Sequence, residues 1–179
     1  MRTNYEQQDV RRIIEQLAGN VAGSFKAESA LNIIGIRTRG EVLAGRLTQM
    51  LRAQGFTQIG RGVLDITLYR DDLSEIGPRP MVRPTKIDIA IDGAALLLVD
   101  DVLFTGRSVR AGLDALADFG RPSAIRLAVL VDRGGRELPI QPDFVGIRLS
   151  DVPADHRVNV YLHESDGRDE ITVEPKERD

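Results

Sequence analysis

Three short apolar runs constrain the fold of this chain more than any other feature of its sequence. They are Leu31 to Ile36 (LNIIGI), Ala95 to Val99 (ALLLV) and Ala124 to Val131 (AIRLAVLV). Runs of this length, apolar on both faces and rich in branched residues, are typical of strands buried in the middle of a parallel sheet. They therefore predict a sheet that is covered on both sides.

The segments between these runs have helical periodicity. Apolar residues recur three and four positions apart from Val10 to Val21 and from Glu41 to Leu51, and a third helix is predicted from about Ser108 to Phe119, ending at Gly120. Strands that alternate with helices predict an α/β fold with a mostly parallel, twisted sheet flanked by helices. No repeat or linker divides the chain, so we expect one domain over residues 1–179.

Weaker patterns predict further strands. Residues Val63 to Tyr69 alternate as in a half-buried strand, Ile87 to Ile91 fit a short strand, and the tail alternates from Val158 to Leu162 and from Ile171 to Val173. Between the first two lies Arg70 to Lys86, with four charges in its first six residues and three prolines. We interpret it as a long loop, and loops of this length are often active-site lids.

The composition excludes several classes of protein. There is no cysteine, hence no disulfide, thiolate metal site or cysteine nucleophile, and no tryptophan among the 4% of aromatic residues. A net charge of −3 is not typical of a chain built mainly to bind nucleic acid. No apolar run approaches the roughly 20 residues that span a bilayer, and the N-terminus lacks an apolar signal region, so we expect a cytoplasmic protein without a membrane partner.

The segment Leu96 to Ser108 (LLLVDDVLFTGRS) has the strongest chemical character. A buried strand leads into Asp100 and Asp101, and Thr105-Gly106-Arg107-Ser108 then opens a helix. Ligands of open α/β sheets bind beyond the carboxyl ends of the strands, and free amides at a helix N-terminus suit a phosphate. The two carboxylates can accept hydrogen bonds from vicinal ribose hydroxyls. The segment therefore predicts a site for a sugar phosphate.

Two simpler interpretations apply to parts of this segment. A serine or threonine at a helix start is usually only a cap. A pair of acids at a strand end is also found at the Mg²⁺ site of flavodoxin-like receivers, although there the acids follow the first strand and here they lie past the middle of the chain. Two carboxylates at the end of a buried strand are costly without a ligand, so the combination favours the sugar-phosphate site.

The same segment resembles the motif that binds phosphoribosyl pyrophosphate (PRPP) in type I phosphoribosyltransferases. Other segments, in order along the chain, are similar to the PyrR family of pyrimidine-operon attenuators with uracil phosphoribosyltransferase activity. These are IGIRTRG (Ile34 to Gly40), LDITLYRDDL (Leu64 to Leu73), VRAGLDAL (Val109 to Leu116), GRPSAI (Gly120 to Ile125) and VDRGGRELPI (Val131 to Ile140). The resemblance, from about Val10 to Val160, implies the type I phosphoribosyltransferase fold with a flexible hood over about residues 68–90.

The resemblance also implies a reaction, in which uracil and PRPP give UMP and pyrophosphate with the help of Mg²⁺. Asp100 and Asp101 look like the catalytic pair that holds the ribose hydroxyls, with either carboxylate a candidate for the metal, and Arg39 looks like the catalytic residue that neutralises the leaving pyrophosphate. The loop Val131, Asp132 and Arg133 is where this fold usually binds the base. The residues implied to bind PRPP or the nucleotide are Thr38, Arg39, Arg79, Asp100, Asp101, Val102, Leu103, Phe104, Thr105, Gly106, Arg107 and Ser108.

The sequence departs from the PyrR pattern on the surface that faces RNA. Gly135 stands where the family usually has a histidine, and Glu15, Gln16 and Gly19 occupy first-helix positions that are typically Thr, Arg and His. Lost cations remove phosphate contacts. Phe104 also replaces the usual tyrosine of the PRPP motif.

These departures leave two functions open. We favour the uracil transferase, with regulation of pyrimidine genes in response to UMP as a further role. The alternative is a nucleotide-sensing, RNA-binding attenuator with little catalytic activity, to which Arg11, Arg12 and Arg136 would contribute positive charge. A transferase for purines or orotate is disfavoured by the VDRG-RELPI and LDITLYRDDL segments. Family members commonly assemble, so we expect a homo-oligomer.

Overall fold

A computed structural model describes residues 3–27, 29–71 and 82–176 of the chain. Most of its strands form a six-stranded sheet in the order β4-β3-β2-β5-β6-β7, parallel throughout except for β4. A second, antiparallel sheet has the order β1-β9-β8. The elements are β1 (Asn4–Tyr5), α1 (Gln7–Ser24), β2 (Leu31–Ile36), α2 (Arg39–Ala53), β3 (Ile59–Leu64), a 3-10 turn (Thr67–Tyr69), β4 (Lys86–Ile87), β5 (Ala95–Leu103), α3 (Arg107–Ala117), β6 (Ala124–Asp132), β7 (Phe144–Arg148), β8 (His156–Tyr161), α4 (His163–Asp166) and β9 (Glu170–Pro175).

The predicted fold class is confirmed, because a mostly parallel sheet lies between helices. Helices α1 and α2 pack on one face through residues such as Leu17 and Leu47, together with Leu97 of β5. Helix α3 packs on the other face through Val109, together with Leu98 of β5. Consecutive residues of a strand point to opposite faces, so a central strand covered on both sides must be apolar at every position.

Strand β5 continues past the end that we predicted for it. The apolar run stops at Val99, but the backbone stays paired with β6 through Asp100 opposite Val129 and Leu103 opposite Asp132. The two acids therefore lie on the last part of a strand and not in a loop after it. Pairing with β6 on one side holds this part of the strand, which fixes the backbone from which the two carboxylates extend.

The predicted strand from Val63 to Tyr69 is wrong except for its first two residues, which end β3 (Ile59–Leu64). Strand β3 ends at Leu64, and residues Thr67–Tyr69 form a 3-10 turn. The cause is the carboxylate of Asp65, which accepts a hydrogen bond of 2.7 Å from the amide of Thr67 and so closes a tight local turn. Of the short strand predicted from Ile87 to Ile91, only Ile87 pairs with β3, as part of the two-residue strand β4 (Lys86–Ile87).

Two features of the fold were not predicted. Strand β7 extends the sheet beyond β6. The alternating tail segments do form strands, β8 and β9, but they pair with β1 in the separate antiparallel sheet. In the described part of the chain, no helix is long and apolar enough to cross a membrane.

Candidate active site

A cleft of about 440 Å³ opens at the carboxyl ends of β2, β3 and β5, where ligands of open α/β sheets bind. It contains six of the residues for which a binding role was predicted: Thr38, Arg39, Asp100, Asp101, Val102 and Ser108. Seven further residues line it, namely Ile36, Arg37, Asp65, Ile66, Thr67, Arg70 and Arg83.

The carboxylates of Asp100 and Asp101 lie in this cleft without a cationic partner. Within the described ranges, no arginine, lysine or histidine nitrogen lies within 4.0 Å of either carboxylate. Asp100 is buried, with 6% of its surface exposed, and its Oδ1 accepts a hydrogen bond of 3.0 Å from the amide of Asp101. The pair is therefore acceptor-rich and poorly solvated, which favours a ligand that brings donors.

Burial also changes the ionisation of this pair. It raises the pKa of Asp100 well above the ordinary value of 3.8, and the neighbouring charge of Asp101 raises it further. Burial raises the pKa of Asp101 as well, although its hydrogen bond with Asp100 and the charge of Arg39 act in the opposite direction. Because burial disfavours the negative charge of these carboxylates, the site favours a ligand that stabilises that charge.

The loop before α2 faces the two acids because two glycines allow a close approach. A Cβ atom added to Gly40 would lie 2.5 Å from the carbonyl oxygen of Val99, in the middle of β5. One added to Gly35 would lie 2.5 Å from the carbonyl oxygen of Gly40. The start of α2 is thus packed directly against β2 and β5. The peptide bond between Arg37 and Thr38 in this loop is cis.

Arg39 extends from the start of α2 and is held by a carboxylate from the C-terminal part of the chain. Its Nε and Nη2 donate to Oδ2 and Oδ1 of Asp166 at 3.0 and 2.8 Å. This bidentate contact raises the pKa of Arg39 and holds the pKa of Asp166 well below its usual range. The guanidinium also lies 5.6 Å from the ring centre of Tyr161. Its charge is therefore fixed in place beside Asp101.

The start of α3 offers backbone donors to the cleft. Gly106 precedes the helix with a φ of +95°, a conformation that side chains disfavour. As the N-cap residue it offers no side-chain acceptor, and the amide of Arg107 donates to Oγ1 of Thr105 at 3.3 Å. Ser108 lines the cleft. The side chain of Arg107 does not, because it forms ion pairs of 2.5 Å with Asp71 and 2.8 Å with Glu137. Of the remaining predicted residues in this loop, Leu103 is buried in the core, and neither Phe104 nor Thr105 lines the cleft.

The predicted hood is described only at its two ends. Arg79, a predicted phosphate contact, lies outside the described residues, as does Asp72. At the ends, Asp65 accepts hydrogen bonds from the amides of Thr67 and Arg83 at 2.7 and 2.6 Å, and so holds the two sides together. Burial opposes its ionisation, but the hydrogen bonds from Thr67 and Arg83 hold the pKa of Asp65 below its ordinary value.

The predicted base-binding loop follows β6, and its side chains form contacts within the protein. Asp132 pairs with Arg136 at 2.6 Å and with Arg148 at 3.5 Å. Arg133 donates to the carbonyl oxygens of Pro153 and His156 at 3.1 and 2.8 Å. Neither these two residues nor Val131, which is fully buried, lines the cleft described above. Their role in base binding stays a prediction that would rest on backbone groups.

Two departures from the family pattern contact each other beside this loop. The guanidinium of Arg133 lies 3.7 Å from the ring centre of Phe104. Gly135 has a φ of +70°, and a Cβ there would lie 2.6 Å from Cε2 of the same ring. The glycine in the histidine position therefore leaves room for the phenylalanine in the tyrosine position. Arg136, which we considered for RNA, donates instead to Asp132 and to the carbonyl oxygens of Phe104 and Ile140.

Sequence reasoning missed three residues: Asp65 and Arg83, which line the cleft, and Asp166, which holds Arg39. A signal existed for Asp65, which directly follows β3 at the edge of the sheet where Asp100 and Asp101 lie. None existed for Asp166, which is separated from Arg39 by 127 positions in the sequence.

Solved structures with the same architecture define the class of protein. The hypoxanthine phosphoribosyltransferase of Trypanosoma cruzi superimposes with a TM-score of 0.71 at 18% identity, over 98% of both chains. The HGPRT-ase of Leishmania tarentolae, solved in complex with GMP, gives 0.70 at 16% identity, over 98% of this chain and 97% of that one. A family model described as the phosphoribosyl transferase domain matches residues 1–165. The fold is that of a type I phosphoribosyltransferase.

Similar curated proteins narrow the class to one family. The "Bifunctional protein PyrR" of Thermus aquaticus is 48% identical over 171 residues, which cover 94% of this chain and 93% of that protein. Proteins of the same name from Roseiflexus sp. and Elusimicrobium minutum are 50% and 43% identical, over 89% and 96% of this chain and 86% and 96% of theirs. The chain belongs to the PyrR family of phosphoribosyltransferases, as its motifs predict.

Proposed function

We propose that this protein transfers the phosphoribosyl group of PRPP to uracil, giving UMP and pyrophosphate. The observation that carries the proposal is the cleft itself. In the described ranges it brings to one edge of the sheet the buried Asp100 and the adjacent Asp101, neither of which has a cationic nitrogen within 4.0 Å, together with a fixed arginine and the N-terminus of α3. These are groups suited to the hydroxyls, the pyrophosphate and the 5′-phosphate of a single PRPP molecule.

In this reaction the bond between C1′ of the ribose and the pyrophosphate oxygen breaks, and a bond from C1′ to N1 of uracil forms. The electron pair of the broken bond leaves with the pyrophosphate, and the N1 proton is released. Positive charge develops on the ribose ring between these events. Asp100 and Asp101 would hold the 2′- and 3′-hydroxyls and stabilise that charge, because preorganised carboxylates cost no reorganisation as it appears.

The leaving group and the 5′-phosphate would lie at opposite ends of the cleft. Arg39, with the backbone around Thr38, would neutralise charge on the departing pyrophosphate. The amides at the start of α3 and the hydroxyl of Ser108 would bind the 5′-phosphate, where the helix dipole also favours an anion. This places C1′ between the two anion sites, above the carboxylates. Positioning of this kind supplies much of the rate acceleration in a reaction with little acid–base chemistry.

A magnesium ion fits the donors of this cleft. Carboxylate oxygens such as those of Asp100 and Asp101 are ligands that Mg²⁺ prefers, and oxygens of PRPP would complete its coordination. In the described ranges, no group of three or more His, Asp or Glu side chains is placed to hold a metal. We propose that the ion binds with PRPP and shares one of the two carboxylates. When bound, it supplies charge stabilisation for the leaving pyrophosphate.

The assay that tests the proposal measures UMP formation from uracil and PRPP with Mg²⁺, with orotate and hypoxanthine as parallel substrates. We expect turnover with uracil, and a rate at least about 100-fold lower with each of the other bases, since a site that hydrogen-bonds one base edge leaves polar groups unpaired with another. Equal turnover with hypoxanthine would contradict the base assignment. Absence of turnover with every base would contradict the transferase.

A second function is supported by the name of the relatives, "Bifunctional protein PyrR". We propose a UMP-responsive contact with the leader RNA of pyrimidine biosynthesis genes. Arg11 and Arg12 are exposed on α1 and are available to RNA only if their ion pairs with Glu15 and Asp9 open. Filter binding of such RNA, with and without UMP, tests this role. We expect weak binding with a shallow salt dependence, because few cations face outward there.

We also propose that the protein is a homo-oligomer that binds PRPP, uracil and UMP. Light scattering during size-exclusion chromatography measures the mass directly. A monomer at micromolar concentration would contradict this assignment.

A further inference from the structure

The segment that follows β8 connects the small antiparallel sheet to the edge of the cleft. Residues His163–Asp166 form α4, and the chain then turns at Gly167 into β9. Three acids of this segment, Glu164, Asp166 and Asp169, all reach arginines on α2. Helix α2 begins at the cleft, so this segment determines where side chains of its first turns lie.

The two arginines that are contacted differ in their relation to the cleft. Arg39, in the first turn of α2, lines the cleft. Arg46, two turns further on, does not; it pairs with Glu164 at 2.5 Å and with Asp169 at 2.6 Å. One segment therefore makes two similar charged contacts to one helix, of which only the first can affect a ligand.

The contact of Arg39 leaves one edge of its guanidinium for a ligand. Asp166 occupies Nε and one hydrogen of Nη2. Nη1 has no hydrogen-bond partner among the residues that the structure describes, and the side chain is 37% exposed. A guanidinium held along one edge by a carboxylate has lost most of its rotational freedom, so it can meet an incoming phosphate without further loss of entropy.

Asp166 is itself fixed by two further contacts. Its Oδ2 accepts a hydrogen bond of 2.9 Å from the amide of Leu162, and the hydroxyl of Ser165 donates to it at 2.7 Å. The carboxylate is thus oriented by its own short helix, and its side chain is only 17% exposed. Leu162, directly after β8, and Ser165 of α4 thus hold Asp166, and Asp166 in turn holds Arg39.

We propose that Asp166 is a positioning residue for pyrophosphate, acting through Arg39. This inference rests on the proposed transferase function and names a residue that acts in it from outside the cleft. Asp166 does not touch the ligand, since Arg39 lies between them. It holds the free edge of the guanidinium toward the pyrophosphate subsite, while the 5′-phosphate subsite at α3 is independent of it.

The test compares Asp166→Asn with Asp169→Asn, a matched variant in the same segment. Asparagine keeps an oxygen for the amide of Leu162 but loses the charge-assisted contact with Arg39. We expect Asp166→Asn to raise the KM for PRPP and the Kd for Mg-pyrophosphate about tenfold, and to leave the Kd for UMP within about twofold. Asp169→Asn should change all three by less than about twofold, because Arg46 is outside the cleft.

Two results would overturn this inference. One is an equal effect of both variants on PRPP, which indicates that the segment acts only as a structural clamp. The other is an equal loss of UMP and pyrophosphate affinity in Asp166→Asn. Asp166→Glu keeps the carboxylate and is the control for a folding defect in Asp166→Asn. Restored pyrophosphate affinity in Asp166→Glu supports the positioning of Arg39 by this carboxylate. If the wild-type protein binds neither PRPP nor pyrophosphate, the proposed function itself fails, and this inference with it.

Discussion

Strands β5 and β6 lie side by side, and both carry acidic residues near their carboxyl ends at the same edge of the sheet, yet these acids differ in their chemistry. Asp132 of β6 is bonded by Arg136, contacted by Arg148 at 3.5 Å, and accepts a hydrogen bond from the amide of Gly134. Asp100 and Asp101 of β5 have no such cation within the described ranges.

This difference distinguishes a carboxylate that can bind a ligand from one that stabilises the structure of this fold. A buried acid whose acceptors are filled by the protein has nothing left for a ligand and fixes a loop instead. A buried pair without a cation carries a desolvation cost that a ligand with hydroxyl donors can offset. The first kind belongs to the scaffold of the site, and the second to the site itself.

The sharpest test of the comparison is Asp101→Asn. The substitution preserves size and removes one negative charge beside the ribose ring, and we expect kcat/KM to fall on the order of a thousandfold. Circular dichroism and thermal unfolding should show a folded protein, since no ion pair is lost. Steady-state kinetics with uracil and PRPP give the measurement. Unchanged kinetics would remove these carboxylates from the mechanism.

At the end of β6, we expect Arg136→Met to lower the free energy of unfolding. The side chains of Asp132 and Arg136 are only 11% and 14% exposed, and methionine leaves the acid with the longer contact to Arg148. A buried acid that loses its close partner costs about 3 kcal/mol in the free energy of unfolding. Urea denaturation measures it. A loss below about 0.5 kcal/mol would mean that the pair at β6 is not structural.

Asp100→Asn is expected to act in the opposite direction on stability. Burial and the adjacent Asp101 disfavour the charge of Asp100, so its removal should increase the free energy of unfolding by about 1 kcal/mol at neutral pH. Asparagine still accepts the hydrogen bond from the amide of Asp101. We expect the same variant to lose most transferase activity. A decrease in stability would show that the carboxylate has a partner in the protein that the comparison overlooks.

The sequence predicts those features of the fold and the site whose residues are close together in the chain. The acids, the Thr-Gly loop and the strand that leads to them are contiguous from Leu96 to Ser108, so local pattern and family resemblance were sufficient. The strand of residues Leu31–Ile36 was likewise predicted to the residue, since burial on both faces leaves an unbroken apolar run.

The parts that were not predicted depend on contacts between distant segments. Strand β7 (FVGIR) is short and has a weak pattern, and it becomes a strand because β6 lies beside it. The turn at Asp65 replaced a predicted strand because a side chain competed with the sheet for the backbone. The internal bonds of Arg133 and Arg136 follow from carbonyl groups of other loops, which no local pattern encodes.

The pH dependence of the Asp100→Asn effect gives the finest test. Burial raises the pKa of Asp100 in the folded state above the 3.8 of the unfolded chain. Between these two values the native state holds a proton that the unfolded chain has lost, so the stability of the wild-type protein falls as pH rises through this window. Below pH 3.8 both states are protonated and the penalty is absent. The stability gap between variant and wild type should therefore be largest at neutral pH and vanish under acid. Urea denaturation of both proteins from pH 7 down to about pH 4 measures this gap in the free energy of unfolding. Carboxylates that are present in both proteins cancel in the difference. A gap that stays constant with pH would mean that the buried pair is not the source of the instability.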